Sequence, residues 1–502
     1  MTLPLDVEFI PEGMDAAETP EADTTPLNKA ESDLLNRLFN KLKRDQKKLT
    51  RYGDYYEGTR HLEQLGISVP PELEHFTLMV NWPRIVADSL EERIDFEGYR
   101  LPGQTQRIPD LWRVWQANNL DEESQLAHLD AIVFGRAYIC VGTNAEDERT
   151  PLVTVESPME MTHEIDRRTR KVRAALRYFR ETDEDGLQVD KATLYMLNQT
   201  VWLEKRWTGT NRGWVVVERD SHALGRVPVV PLVNRSRVSD RDGVSELSDV
   251  IDLTDAAARA LTLAQLATEA LSVPQRAVLG ASPEDFVDAD GKMLPKWEAY
   301  FGSIWALDNE KASVTQFAAA DLGNFKTIVD HYASMVSSIT GLPLRFFGQN
   351  TANPPSAEGI RADEARIVKR AERRQRAWGG AWEEVARLIK LFQDGDFPED
   401  WNSLESIWRD PATPTRAQQA DAAVKLVAAN ILPVEAAWEE MGYSQTRITE
   451  LRKMREKQLA TEDRLQAQIN SFRTPGDVQD GSEDPTGDSD PATRSQAATD
   501  AS

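Results

Sequence analysis

The stretch LWRVWQANNLDEESQLAHLDAIVFGRAYICV, residues 111–141, changes its period partway along. Asp121 can cap a helix, because a short acidic side chain accepts the free N–H groups of a first turn. Leu126, Leu129 and Val133 follow at helical spacing as the expected inner face. Past Gly135 the residues become β-branched and aromatic, and Ala137–Thr143 reads as a strand. A chain that switches period within one segment is neither all-helical nor all-strand, so the expected class is α+β.

Working outward, the strand pattern continues downstream. Pro151–Glu156, Val172–Arg180, Ala192–Asn198, Thr200–Trp207 and Gly213–Glu218 are short runs, mostly bounded by turn or charged residues. They read as antiparallel strands. Val227–Val233 is extended, but Pro228 and Pro231 cannot donate to a ladder, so it reads as an edge or a linker. Upstream the pattern is helical. Residues 28–58 carry Leu35, Leu38, Phe39 and Leu42 on one face, with Gly58 as the stop. Leu78–Ile94 stacks Val86, Leu90 and Ile94 four apart.

From Val244 the chain turns helical again. AAARALTLAQLATEAL lies in a first long helix, 244–271, with acids at Asp249, Asp252, Asp255 and Glu269. Residues 272–318 are mixed, with Pro283, Gly291 and Pro295 as breakers. A second helix over 321–341 shows Phe325, Ile328, Val329, Tyr332 and Val336 on its apolar side. The Pro/Asn/Gly-rich loop GLPLRFFGQNTANPPS follows, and Ser356 caps a long helix to about Phe392. Its apolar stripe is Ile360, Ile367, Ala371, Trp378, Trp382, Val385 and Ile389. Short helices are expected after Pro398.

The formal charge is −24, from 59 basic and 83 acidic residues. A free-standing DNA binder is expected to be basic, so this balance opposes a tight one. Residues 1–27 hold seven acids and no base, and 475–502 hold seven acids and one base. Both stretches are poor in apolar residues and are expected to be disordered, as solubilising tails or as arms that dock on a partner. No window approaches the ~18 apolar residues of a membrane span. The one cysteine, Cys140, cannot form an intramolecular disulfide and fits a reducing compartment.

The sequence carries few chemical motifs. There is no GxxxxGK[ST] phosphate loop, no HExxH and no GxSxG. His163-Glu164 reads as a solvated turn. Asp288-Ala-Asp290-Gly291 lacks the distal Glu of a calcium loop, since Trp297 stands there. No catalytic residue, cofactor or metal site is expected. Two basic features stand out. Arg167, Arg168, Arg170, Lys171 and Arg173 lie between two strand-like runs, as a hairpin tip in water or a contact for an acidic neighbour. On the long helix Arg366, Arg370, Arg373 and Arg374 cluster within two turns. They read either as partners in salt bridges or as a cationic surface for DNA phosphate or an acidic subunit face.

The order of segments resembles the portal proteins of tailed double-stranded DNA bacteriophages, in the siphovirus branch. The resemblance covers roughly residues 30–470. It runs through YYEG (55–58), NWPRIVADSLEERI (81–94), the 111–141 stretch, VESPMEM (155–161), VPVVPLVNR (227–235), SELSDVIDLTDA (245–256) and SSITGLPLRFFG (337–348). It ends with NPPSAEGIRADEARIVKRAERRQRAWGGAWEEV (353–385). Order and spacing, and no single signature, make it specific.

The resemblance implies a ring, with twelve subunits expected, at one capsid vertex of the virion, assembled in the host cytoplasm. It implies an α+β wing over 28–243, stem helices over 244–271 and 319–341, and a clip over 272–318. It implies a tunnel loop over 342–356, a long wing helix over 357–395 and a crown over 396–470, between a disordered acidic arm, 1–27, and tail, 471–502. Implied partners are a terminase large subunit, a head-completion or connector protein, major capsid and scaffolding proteins, and double-stranded DNA passing without sequence specificity. On this reading Gln349, Asn350, Thr351 and Asn353 are the tunnel-loop residues nearest DNA. Glu284, Asp285, Asp288 and Asp290 face the clip's partners, and Ala260 and Ala264 pack between stem helices of neighbouring subunits. The alternatives are a DNA-processing enzyme, nuclease or packaging ATPase, and a scaffold or minor capsid protein.

Overall fold

The computed structural model describes residues 23–59, 78–104, 107–147, 149–182, 186–206, 213–272, 276–279, 313–316, 322–349, 356–412, 416–443 and 445–472. The chain divides into two units, Met1–Thr413 and Pro414–Ser502.

The first unit begins with α1 (Lys29–Glu57). Its start is a reciprocal cap: the Asn28 side chain accepts the Glu31 N–H at 2.9 Å, and the Glu31 carboxylate accepts the Asn28 N–H at 3.0 Å. Leu35 and Leu38 on α1 are buried against the sheet β4–β8 described below. Three short elements follow: α2 (Trp82–Glu91), β1 (Phe96–Arg100) and α3 (Pro109–Ala117). Helix α2 is shorter than its periodicity predicts. Pro83 lacks an N–H, which only the first turn tolerates, so the helix starts at Trp82.

Helix α4 (Leu120–Phe134) corrects the opening expectation. Asn119, in the left-handed region, is the cap, and Asp121 is the second residue of the first turn. Asp121 instead accepts from the Trp115 indole at 2.8 Å. Val133 is buried and Leu129 half-buried against the core, as expected, but Leu126 is 56% exposed; the buried face is Leu120, Ser124, Ala127, His128, Ala131, Ile132 and Val133. Small residues and a histidine form the inner face because the partner side chains are large. The His128 ring stacks on Trp378 at 5.0 Å and accepts the Trp382 indole N–H at 3.1 Å.

The strands form two main sheets. β2 (Arg136–Gly142) is central between β3 (Leu152–Glu156) and β9 (Val229–Val233). Pro231 lies opposite Tyr138 on the edge strand, where its missing N–H costs nothing. An antiparallel meander follows in order β4 (Met161–Ile165), β5 (Val172–Thr182), β6 (Gln188–Tyr195), β7 (Gln199–Arg206) and β8 (Gly213–Ser221). His163 and Glu164 lie in β4, not in a solvated turn. The His163 ring is buried, 2.9 Å from the Tyr138 hydroxyl. Burial, with Lys41 and Arg136 nearby, pushes its pKa down to about 3, so the ring is neutral.

After a 3₁₀ turn at Glu246–Asp249 come α5 (Ile251–Ser272), β10 (Arg276–Leu279), β11 (Ser313–Gln316) and α6 (Gly323–Thr340). β10 and β11 pair antiparallel, and α5 packs on α6. Then comes α7 (Ala357–Asp394), which carries the fully buried Trp378 and Trp382 one turn apart. β12 (Glu405–Trp408) pairs with β1, which places it in the first unit. Residues 396–412, expected in the crown, thus cluster with the first unit. The second unit contains α8 (Arg416–Ala428), α9 (Val434–Glu440) and α10 (Gln445–Phe472). The last is one long helix, where short ones were expected.

Candidate functional site: a helical hairpin held by an arginine-rich helix

The start of α5 is fixed by close backbone approach. Gly243 has φ +87°, and a Cβ there would run into the Gly135 carbonyl oxygen at the end of α4. Only glycine fits both the angle and the space. Ser245 then donates to the Val133 carbonyl and accepts the Leu247 N–H at 3.0 Å.

Glu246, next in sequence, is buried within an arginine cluster. Arg370 and Arg374 of α7 donate to its two carboxylate oxygens, and Arg235 lies 3.8 Å away. Asn234 adds an amide N–H at 3.3 Å. Burial opposes the charge on Glu246, but Arg370 and Arg374 outweigh it and hold the carboxyl below its usual range. Arg235 also pairs with Asp249 at 2.7 Å.

The same face of α7 holds the end of α6. Arg370 donates to the Thr340 carbonyl, and Arg366 donates to those of Ser338 at 2.6 Å and Ile339 at 3.4 Å. These are the carbonyls that a helix terminus leaves unpaired, and they carry its negative dipole end. Gly341, at φ +74°, closes α6, and a Cβ there would come within 2.5 Å of the Arg366 Cδ. Further along, Glu364 accepts Arg345 and, at 3.0 Å, Arg93. One helix thus clamps the base of α5, the end of α6 and the turn after it.

This places the candidate residues. Arg366, Arg370 and Arg374 act on partners within their own chain, and Arg373 is exposed and points elsewhere. The first half of the expected tunnel loop is anchored: Leu342 is buried, Phe347 meets Trp82 edge-on at 5.9 Å, and Gln349 donates to the Asp330 carbonyl at 2.9 Å. Asn350, Thr351 and Asn353 lie outside the described residues, as do Glu284, Asp285, Asp288 and Asp290 of the clip. Ala260 and Ala264 are half-buried, one turn apart on α5. Of the acids expected along α5, Asp249 faces Arg235 and Asp255 accepts the Tyr55 hydroxyl at 2.7 Å, while Asp252 is exposed.

Sequence reading missed Glu246. Its only signal was that Arg366, Arg370 and Arg374 repeat every four residues, which puts them on one face and calls for an acid opposite. No local pattern names which acid.

Comparison with known proteins bears on the same segments. The phage portal protein family, SPP1 Gp6-like, matches residues 35–463. A portal protein of Mycobacterium phage D29 is 41% identical over 418 residues, covering 81% of this chain and 84% of that protein. A portal protein of Mycobacterium phage L5 is 39% identical over 426 residues, covering 82% and 86%. A chain from the virion of a native gene transfer agent particle aligns at TM-score 0.42 and 14% identity, covering 80% of this chain and 94% of that one. With the family matched across most of the chain and two relatives near 40% identity, this chain belongs to the SPP1 Gp6-like phage portal proteins.

Proposed function

We propose that copies of this chain close into a ring at one capsid vertex, the conduit through which double-stranded DNA enters and leaves. The supporting observation is a pair of unlike faces on the α5–α6 hairpin. Ile328, Met335 and Ile339 recur at spacings of seven and four on α6 and are 43%, 39% and 42% exposed. Such a stripe is what a lone subunit leaves in water. On α5, Ala260 and Ala264 offer a small-residue surface that another helix can approach closely. Unlike faces that meet head to tail generate a closed ring when the rotation closes.

The work is structural and mechanical. A separate terminase motor burns ATP at the clip, residues 272–318, and a connector later takes its place. Major capsid and scaffolding proteins surround the ring. Gln349, Asn350, Thr351 and Asn353 lie nearest the duplex, as polar side chains that touch it weakly. A bore lined with cations would instead grip phosphate through counterion release. The test is end-on electron microscopy of the chain co-expressed with its capsid proteins. Class averages should show closed rings with a central hole. Monomers or dimers at every salt concentration would overturn the reading.

A further inference from the structure

The hairpin between β4 and β5 carries Arg167, Arg168, Arg170 and Lys171 at its tip, all exposed. Among the described residues none of these four has an acidic partner. The one acid in the turn, Asp166, is already engaged. It accepts the backbone N–H groups of Arg168 at 2.8 Å and Thr169 at 2.7 Å, and the Thr169 hydroxyl at 3.0 Å. The turn therefore closes on itself and leaves its cations outward.

Arg170 adds an independent observation. Its φ is +65°, in the left-handed region where glycine or asparagine is favoured. The Arg170 N–H closes the turn on the Asp166 carbonyl at 2.8 Å, so the conformation belongs to the turn. A long cationic side chain stands where the backbone prefers none, and a strained residue of this kind points to function.

The tip continues onto α1. Arg37 and Arg173 share Glu164, each at 3.5 Å, so two cations meet one anion. Arg44 and Lys48, exposed on the same side of α1 as Arg37, extend the face along the helix. No large apolar side chain of α1, β4 or β5 is exposed. A protein partner wants an apolar or aromatic anchor at the centre of its contact. Single-stranded nucleic acid wants exposed aromatics to stack on. A rim of Arg and Lys with neither fits the phosphate backbone of a duplex, read without sequence.

We propose that this face, the tip 166–171 with Arg37, Arg173 and the exposed side of α1, is a second contact for double-stranded DNA. It is separate from the conduit, and it rests on the portal reading only for which polyanion is at hand. The experiment is anisotropy of a short labelled duplex with the full chain. About four neutralised phosphates give a log–log salt slope near −4, a loss of about 10²-fold in affinity between 50 and 200 mM salt. The triple variant Arg167→Glu, Arg168→Glu, Lys171→Glu should lose binding and still form rings in micrographs. Arg170→Gly relaxes the turn, so it should raise the melting temperature while lowering the slope by about one. Loss of binding in that variant cannot be unfolding. Absent or salt-independent duplex binding by a wild-type chain that forms rings overturns this inference and leaves the portal reading standing. Unchanged binding by the triple variant also overturns it. So does polyglutamate binding as tightly as duplex, which would assign the face to an acidic protein.

Discussion

Glu91 ends α2 partly buried, with Asp95, Asp88 and Glu92 as charged neighbours. Burial first, and then repulsion from those three, raises its pKa from 4.5 to about 7. An acid whose folded pKa is raised binds more protons folded than unfolded, so stability falls as pH rises from about 4.5 to 7. Buried His128 and His163 act in the opposite sense. Both are pushed down to about 3 by burial, and their contribution is lost as pH falls below 6.5. The Glu91 effect must therefore be read as a difference between proteins. Glu91→Gln should melt roughly 2–4 °C above wild type at pH 8, a modest gain because solvent screens the exposed part. The gap should close by pH 5, and equal gaps at both values would refute the assignment. Caps at this scale were legible in part: Gly58 closes α1 and Ser356 caps α7 as expected, but Asn119, not Asp121, opens α4. His163 was not legible, because nothing in a two-residue motif says that Tyr138 closes over it.

The Glu246 cluster couples three elements that are far apart in sequence. Glu246→Gln keeps an acceptor and the shape but leaves the Arg370, Arg374 and Arg235 guanidiniums crowded without a counter-charge. Breaking a buried pair from one side costs about 3–5 kcal/mol. The urea midpoint should fall accordingly, and a midpoint within error of wild type would show that solvent reaches the cluster. Ala260→Trp and Ala264→Trp test the surface of α5 proposed to meet a neighbouring subunit. Overpacking costs about 1–3 kcal/mol where the surface meets a neighbour, so rings should fail to close while the monomer stays folded. Normal rings from both variants would place the contact elsewhere. The far ends of these helices were readable from period and breakers, but the start of α5 was not, since Glu246–Asp249 forms a 3₁₀ turn and the helix begins at Ile251; most of the strand ladder was readable from β-branched runs, but β4 was not. The β1–β12 pair was not, because a four-residue strand closing across the chain carries no local period. Part of the buried face of α4 was missed for a related reason: alanines and a histidine match the bulk of Trp378 and Trp382, and that bulk lies in another element.

Over the whole molecule the charge of −24 divides unevenly. Residues 1–27 and 475–502 account for −7 and −6, and the rest carries −11. Within that remainder, three cations of α7, Arg366, Arg370 and Arg374, hold α5 and α6 to the body, while Arg361, Arg373 and Arg376 are exposed. The 350–355 segment runs between two fixed points. Gln349 is held by Asp330 on one side, and on the other Ser356 accepts the Gly359 N–H at 3.2 Å to cap α7. Exchanging residues 350–355 for a Gly/Ser linker of equal length should therefore leave both anchors and ring assembly intact. It should impair packaging or retention of DNA, because the side chains proposed to touch the duplex are gone. Particle yield and encapsidated DNA, measured on the same preparation, separate the two effects. Full heads from the exchanged protein would remove the tunnel-loop role from this segment. Loss of rings would show that 350–355 carries assembly contacts.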